Sequence, residues 1–256
     1  MTGLQVAVGE SALAAFLLAM ARVAGFILVA PPFNTRTVPG KVKVALAAGL
    51  ALPLSVAYSD PPSLGSAAML LNALLQVLTG MALGFLVLAA VSTIQSAGDL
   101  LDTVGGFSIT MAMDPLMMMQ TSVLGRLHQM TAAVLLFVTD GHLLILRGLT
   151  RGVETMPGPL ASWADAARAA IAALSSLFAG ALQIAAPVVA AMLVADVALG
   201  LLTRAAPALN AFAMGYPLKI LFTLLLAVLV VSRLPGALEI LVSGAVGEVL
   251  RLTRGG

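Results

Sequence analysis

The chain has no cysteine and few charged residues among its 256 positions. Without cysteine it forms no disulfide and offers no thiolate to a metal or a substrate. Charged residues make up only 9% of the sequence, whereas an ordinary soluble domain has about 25%. So few charges cannot cover a water-exposed surface. The formal net charge is only +2, which implies no nucleic-acid partner.

Long apolar runs take the place of the missing charges. Hydrophobic residues account for 61% of the chain and the mean hydropathy is +1.08, so the outside of the fold also faces an apolar medium. A helix that spans a membrane needs about 20 mostly apolar residues. On that criterion the sequence predicts six spans, at roughly 12–30, 42–58, 67–95, 121–146, 173–202 and 209–232.

These runs predict helices rather than membrane strands. In lipid, every backbone N–H and C=O must be paired within its own segment or in a closed barrel. Barrel strands alternate polar and apolar residues, and these runs are continuously apolar. We therefore predict an all-α fold, a polytopic membrane bundle of about six long hydrophobic helices arranged as hairpins.

Proline-rich connectors separate the runs, at 31–41, 59–65, 156–163 and 204–210. Proline cannot continue a helix without losing a hydrogen bond, so these segments are predicted boundaries. None of them has room for a soluble domain. The longest polar connector is 98–120, and residues 235–256 are predicted to form a weakly amphipathic tail that begins at a proline.

Charges inside the predicted spans are candidates for function, because each costs about 2.5 to 3.5 kcal/mol at the centre of a membrane helix. They are Arg22, Arg126, Asp140, Asp196 and Lys219. In a transporter, Asp140 could form a proton relay with His128 and His142. However, His128 and Asp140 are separated by about three helical turns, and Asp140 and His142 point to different faces. Pairing with neighbouring helices or subunits is the favoured interpretation.

Motifs of enzymes are absent from the sequence. There is no Walker loop, GxSxG elbow, HExxH motif or dinucleotide fingerprint. The two histidines are too few for a dedicated metal cage. We therefore expect no enzymatic activity, no cofactor and no metal site.

The connector at 98–120 has an unusual composition. Five of the 13 methionines lie between positions 111 and 119, beside a glycine pair at 105–106 and a helix-breaking Asp-Pro pair at 114–115. Methionine is unbranched and polarizable, so a cluster of it adapts to apolar partners of many shapes. The segment is either a deformable seal in a pore or an ordinary apolar loop that packs on the bundle.

Three blocks of sequence resemble the FliR family of flagellar export-gate proteins, whose virulence counterpart is the SctT family. The first is Arg22 followed by APPFNTRTVPGKVKVALA at 30–47. The second is GDLLDTVGGFSITMAMDP at 98–115, which continues to TDGHLLILRGL at 139–149. The third is VADVALGLLTRAAPALNAFAMGYPLKI at 194–220. They occur in the order of the family, so the resemblance covers 1–256 as a single FliR-like export-gate domain.

The resemblance implies a function in protein export. A FliR-like chain resembles a fusion of a FliP-like and a FliQ-like subunit. One copy joins several FliP-like and FliQ-like proteins in the bacterial inner membrane, at the flagellar basal body, together with FlhB-like and FlhA-like export components. The assembly passes unfolded flagellar proteins and is needed to build the flagellum. A small-molecule or ion transporter, a structural scaffold and a virulence secretion gate subunit remain the alternatives.

The resemblance also implies which residues act. The family places a loop of this subunit in the closed channel as a plug. The matching residues are Gly105, Gly106, Phe107, Met111, Met113, Asp114, Pro115, Met117, Met118 and Met119. The embedded charges and one connector arginine then become contacts between subunits. These are Arg22, Arg126, Asp140, Asp196, Arg204 and Lys219.

Overall fold

The computed structural model describes residues 2–35, 37–107, 122–205 and 211–254. Across these ranges it consists of helices and turns and has no β-strand. The helices are α1 (Thr2–Val29), α2 (Gly40–Leu54), α3 (Ala67–Gly105), α4 (Val123–Val138), α5 (Gly141–Thr155), α6 (Trp163–Ala205) and α7 (Ala211–Thr253), with a short 3₁₀ turn at Ser55–Ala57.

Five helices in the described ranges are long and apolar enough to cross a membrane. They are the segments Gly9–Val29, Gly40–Ala57, Ala67–Gly105, Trp163–Ala205 and Pro217–Thr253. α4 and α5 meet the same criterion only as a pair, which makes six spans if the pair counts as one. The prediction of an all-α, polytopic membrane protein is confirmed.

α3 extends further than its apolar run. The sequence predicts a span that ends near residue 95 and a connector from residue 98, whereas the helix continues to Gly105. Its polar side chains have hydrogen-bond partners both within α3 and on α4. The Thr103 hydroxyl donates to the carbonyl of Asp99, 2.9 Å away, and the Asp102 carboxylate accepts from the start of α4. Polar composition therefore marks tertiary contacts here and not a loop.

The predicted span at 121–146 is two helices rather than one. α4 ends at Val138, and Thr139 donates its backbone N–H to the carbonyl of Leu135. Asp140 then adopts a left-handed conformation with φ 55°. An α-helix cannot continue through such a residue, so α5 begins afresh at Gly141.

The predicted tail is not a separate element, because α7 runs through Pro235 to Thr253. A proline inside a helix leaves one carbonyl without its N–H partner and bends the helix, and long apolar helices tolerate this cost. The residues beyond Pro235 include buried apolar side chains. Val246 lies against Gly148 and Thr253 against Gly152, both on α5.

Contacts divide the chain into two compact units. Unit 1 comprises Met1–Ala90, Asp140–Leu174 and Leu241–Gly256. Unit 2 comprises Val91–Thr139 and Ser175–Ile240. α3, α6 and α7 each have residues in both units.

Glycines bring helix backbones into contact within unit 1. A Cβ atom on Gly25 of α1 would collide with the backbone of Val77, and one on Gly80 of α3 with the backbone of Arg22. Helices in membranes lack a hydrophobic driving force for association, so small residues that allow close van der Waals contact stabilise their pairing. The α1–α3 interface follows this rule.

Candidate functional site

The predicted plug segment begins at a buried glycine in unit 2. Gly105 is the last residue of α3, and a Cβ atom there would collide with the Thr223 side chain of α7. The Thr223 hydroxyl in turn lies 3.6 Å from the sulfur of Met192 on α6. Gly106 follows with φ +82°, a conformation that favours glycine. Gly105 is thus required for close packing, and Gly106 for the change of direction.

The chain returns at Ser122, which caps α4. The Ser122 hydroxyl oxygen accepts from the backbone N–H of Gly125 at 2.8 Å. The same hydroxyl donates to the Asp102 carboxylate, which also accepts from the backbone N–H of Leu124 at 3.1 Å. Asp102 is only 5% exposed, so these bonds lie in an environment where an unpaired carboxylate is costly.

α3 and α4 pack closely below this cap. A Cβ atom on Gly98 would collide with the backbone of Leu124 and Gly125. One turn further along α4, His128 is fully buried and donates from Nδ1 to the carbonyl of Leu124 at 2.8 Å. Its Nε2 has no hydrogen-bond partner among the described residues. His128 therefore acts mainly as a packed core side chain.

Only the first part of the predicted plug lies within the described structure. Gly105, Gly106 and Phe107 are described, and the backbone N–H of Phe107 donates to the Asp102 carbonyl at 3.2 Å. The other predicted plug residues lie outside the described residues, so their role as a seal stays a prediction. These are Met111, Met113, Asp114, Pro115, Met117, Met118 and Met119.

Arg22 forms a second polar cluster, in unit 1. The side chain is fully buried, and its Nε donates to Gln76 Oε1 at 2.6 Å. The two terminal nitrogens donate to the carbonyls of Met156, Pro157 and Gly158, which follow α5. Every bond uses an oxygen of unit 1 itself. The structure therefore places Arg22 between α1, α3 and the loop after α5.

Two further side chains complete the cluster. The Gln76 amide donates from Nε2 to the Pro157 carbonyl at 2.6 Å, and the Thr79 hydroxyl accepts from the backbone N–H of Leu160 at 3.2 Å. α3 thus holds the loop after α5 through side chains one turn apart. The loop lacks regular backbone pairing of its own, so these side chains satisfy groups that apolar neighbours could not.

A cavity of about 310 Å³ lies beside this cluster in unit 1. Tyr58, Ser59, Asp60, Asn72 and Gln76 contribute its polar side chains. The Tyr58 hydroxyl is buried, with no hydrogen-bond partner in the described part of the chain. Burial raises the pKa of this hydroxyl above its ordinary value, and the nearby charge of Arg22 opposes that shift.

The remaining predicted contact residues are more exposed than Arg22. Asp196 on α6 and Lys219 on α7 form an ion pair within unit 2, with the carboxylate side chain 47% exposed. Arg126, Asp140 and Arg204 are exposed. Their assignment as subunit contacts stays a prediction, as does that of Arg22. No group of three or more His, Asp or Glu side chains that could hold a metal occurs in the described ranges.

Sequence reasoning missed Gln76, Asp102, Ser122 and Thr223. Gln76 and Thr223 are uncharged, so the cost of an embedded charge does not single them out. Asp102 lies in the predicted polar connector, where a buried side chain is not expected. The signal for Ser122 was present, because serine directly before an apolar run is typical of a helix N-cap.

Comparison with known proteins decides the family. The model of the family described as "Bacterial export proteins, family 1" matches residues 13–245. The chain belongs to this family. Export family 1 is a family of export proteins and not of enzymes, so the prediction that the chain is not an enzyme is confirmed. The family match also includes both polar clusters described above.

Relatives of this export protein occur in flagellar and virulence systems. The chain is 30% identical over 223 residues to "Flagellar biosynthetic protein FliR" of Bacillus subtilis strain 168, covering 85% of this chain and 86% of the relative. It is 34% identical over 204 residues to the protein of that name from Escherichia coli K12, covering 78% and 77%. "Surface presentation of antigens protein SpaR" of Salmonella typhimurium LT2 is 27% identical over 203 residues, covering 79% and 77%. The predicted resemblance to the FliR family is confirmed.

Proposed function

We propose that the chain is a subunit of the flagellar type III protein export gate in the bacterial inner membrane. There it passes unfolded flagellar proteins and is needed to assemble the flagellum. The observation that carries the proposal is the similarity to FliR proteins over about four-fifths of the chain. The five or six apolar helices agree with a membrane location. A transporter would concentrate its charges at a midplane site in broken helices. Arg22 instead bonds to Gln76 and to the loop after α5 within unit 1, and we call this set of bonds the Arg22 clamp.

The partners follow from the same proposal. FliP-like and FliQ-like subunits surround one copy of this chain, and FlhB-like and FlhA-like components complete the export apparatus at the flagellar basal body. The apolar surface of α6 and α7 supports such an assembly, since many of their large side chains are exposed. Phe178, Leu193, Val194, Leu225 and Val228 are all more than half exposed.

Deletion and native mass spectrometry test the proposal together. Removing the coding sequence from its bacterium should abolish flagellar filaments and secretion of their subunits, and a plasmid copy should restore both. The detergent-extracted complex should contain one copy of the chain beside several FliP-like and FliQ-like subunits. Normal swimming after deletion, or a homodimer without companions, would sink the proposal and favour a transporter.

We further propose that residues 105–119 form the plug of the closed channel. The methionine-rich sequence supports this role, as does the fact that α3 and α4 are joined by contacts that do not involve residues 108–121. Deleting residues 106–113 should leave the complex assembled and make the membrane leaky to ions. If the segment is instead a loop that only packs on the bundle, its deletion should lower the yield of assembled complex and leave the membrane impermeable to ions. Complex yield and ion leak in cells are measured on the same cultures.

A virulence secretion gate is the second candidate. The similarity to SpaR of Salmonella typhimurium favours it, at 27% identity. The identity to two FliR proteins is higher, at 30% and 34%. Loss of effector secretion with intact flagella in the deletion strain would select this second candidate.

A further inference from the structure

One buried residue in unit 2, Asp102, bonds to the chain on both sides of positions 108–121. The backbone carbonyl of Asp102 accepts from the N–H of Phe107, the last described residue before the segment. The carboxylate of Asp102 accepts from the hydroxyl of Ser122, the first described residue after it, and from the N–H of Leu124. A single residue thus bonds to the chain where it leaves α3 and where it enters α4.

The charge of Asp102 suits this position. Leu124 lies in the first turn of α4, where unpaired backbone N–H groups give a helix a partial positive charge. A carboxylate there gains from the helix dipole as well as from two hydrogen bonds, and charge-assisted bonds are about twice as strong as neutral ones. Because Asp102 is almost fully buried, water does not compete for these bonds.

Close packing next to Asp102 leaves little room for the two ends to part. Gly98 is one turn before Asp102 on α3, and its Cα side faces the backbone of Leu124 and Gly125. Gly105 is one turn after Asp102 and lies against Thr223. The carboxylate therefore lies between two glycine contacts, near the end of α3 and the start of α4.

We propose that Asp102 is a positioning residue that holds Phe107 and Ser122, the residues that flank positions 108–121, in a fixed neck formed by Asp102, Phe107, Ser122 and Leu124. Its effect on the channel rests on the proposed role of residues 105–119 as a plug. The neck itself does not, because all four residues belong to the described structure.

The distance between the ends is the direct test. The chain has no cysteine of its own, so spin labels can be attached to Thr103→Cys and Val123→Cys, both exposed positions. The labelled chain is purified in its complex, with any partner cysteines replaced by serine. We expect a narrow spin–spin distance distribution, which Asp102→Ala broadens. Asp102→Asn should broaden it less, since its amide oxygen still accepts from Leu124.

Asp99→Asn is the matched control. Asp99 lies one turn before Thr103 on the same helix, and its carboxylate lies against Gly125 of α4, whereas the bonds to Ser122 and Leu124 in the described structure are made by Asp102. This variant should keep the narrow distribution. If Asp102→Ala prevents assembly, Ser122→Ala takes its place, because it removes the hydroxyl's bonds to Asp102 and Gly125 and leaves the Asp102 carboxylate bonded to Leu124. An unchanged distribution in an assembled Asp102 or Ser122 variant overturns the inference.

Ion leak across the membrane tests whether the neck affects the proposed plug. Losing an N-terminal cap of this kind should raise the leak about tenfold or less, given the usual stability of helix caps. In a chain that also lacks residues 106–113, Asp102→Ala should add nothing to the leak, because both changes act on one segment. If the deletion alone does not leak, the plug proposal fails while the distance measurement still decides the inference. If the deletion leaks and Asp102→Ala neither leaks nor broadens the distances, the inference fails alone.

Discussion

At the residue scale, Arg22 makes four hydrogen bonds in the polar cluster of unit 1. A lone charge at the centre of an apolar helix costs about 2.5 to 3.5 kcal/mol on insertion scales. Four acceptors surround this guanidinium, from Gln76 and the carbonyls of Met156, Pro157 and Gly158. Removing the arginine takes the donor from Gln76 Oε1 and from the carbonyls of Met156 and Gly158, whereas the Pro157 carbonyl keeps the bond from Gln76 Nε2. A buried acceptor without a donor retains its full desolvation cost.

Arg22→Leu should therefore lower the yield of assembled complex more than it changes conduction per complex. Each buried acceptor left without a donor costs about 1 to 3 kcal/mol. Arg22→Lys should give an intermediate loss, since an ammonium cannot reach all four acceptors with the fixed geometry of a guanidinium. Arg147→Leu, an exposed arginine of α5, is the control and should assemble normally. Yield and melting temperature of the purified complex are the readouts, and normal values for Arg22→Leu contradict the clamp.

Gly105→Ala should destabilise the protein through a collision, even though alanine favours helices. The added Cβ would overlap the Thr223 side chain, and overpacking of this kind costs about 1 to 3 kcal/mol. Thr223→Gly in the same chain should recover most of the loss, because it removes the colliding atoms. Gly49→Ala in α2 is the control, with open space around its Cβ, and should be neutral or stabilising. The melting temperatures of four complexes are compared: the parent, Gly105→Ala, Thr223→Gly and the double variant. If the two single effects add up in the double variant, the contact is ruled out.

At the element scale, the sequence predicts where apolar helices lie better than where they end. The run at 67–95 falls inside α3, and the runs at 12–30 and 42–58 extend only one residue beyond α1 and beyond the 3₁₀ turn that follows α2. The errors occur at polar residues with tertiary partners, such as Asp102, and at prolines inside helices, such as Pro235. Both kinds of residue normally mark helix ends, and only the position of other helices determines that they do not here.

The break between α4 and α5 gives a prediction of its own. Asp140 has φ 55° and makes no side-chain hydrogen bond to the start of α5. A left-handed conformation costs an ordinary residue about 1 to 2 kcal/mol, and glycine almost nothing. Asp140→Gly should therefore be as stable as the parent chain or more so, whereas Asp140→Val should be less stable.

Asp140→Asn is the reference for that comparison, since asparagine also tolerates the left-handed region. Circular dichroism melting in detergent compares the three variants. If Asp140→Gly melts normally yet fails to join the complex, the side chain is a subunit contact. A stable Asp140→Val would show that the break does not depend on this conformation.

At the scale of the whole molecule, the helices differ in how much of their apolar surface the chain covers itself. Half of the most apolar window of α1 is buried within the chain, but only 17% of that of α6. Lipid covers some of the rest, and partner subunits are expected to cover more. The embedded charges outside the Arg22 cluster are less buried than Arg22: in the ion pair of Lys219 and Asp196 the side chains are 20% and 47% exposed.

The isolated chain should for these reasons be unstable. Expressed without a FliP-like companion, it should be degraded or aggregate in detergent, and co-expression should rescue it. Size-exclusion chromatography and pulse-chase labelling measure the two outcomes, with the co-expressed complex as the control. A monodisperse, well-folded monomer would contradict the prediction.

The candidate site could be predicted only in part. Methionine content drew attention to 105–119, and the cost of a buried charge drew attention to Arg22, both from sequence alone. The partners of these residues come from segments distant in the chain: Arg22 bonds to residues 76 and 156–158, and Gly105 touches Thr223. A single sequence does not indicate which residues distant in the chain come into contact.

The Arg22 clamp also supplies a hydrogen-bond donor to a backbone carbonyl at the end of α5. The last carbonyls of a helix carry partial negative charge, which water or a nearby basic residue usually neutralises. Here the cation comes from a different helix and reaches the capping residue Met156 from inside unit 1. Lipid tails and detergent chains have no groups that compete for a carbonyl. The joint between α1 and the end of α5 should accordingly survive solubilisation that separates apolar subunit interfaces, and it would hold this part of the chain together while its neighbours dissociate.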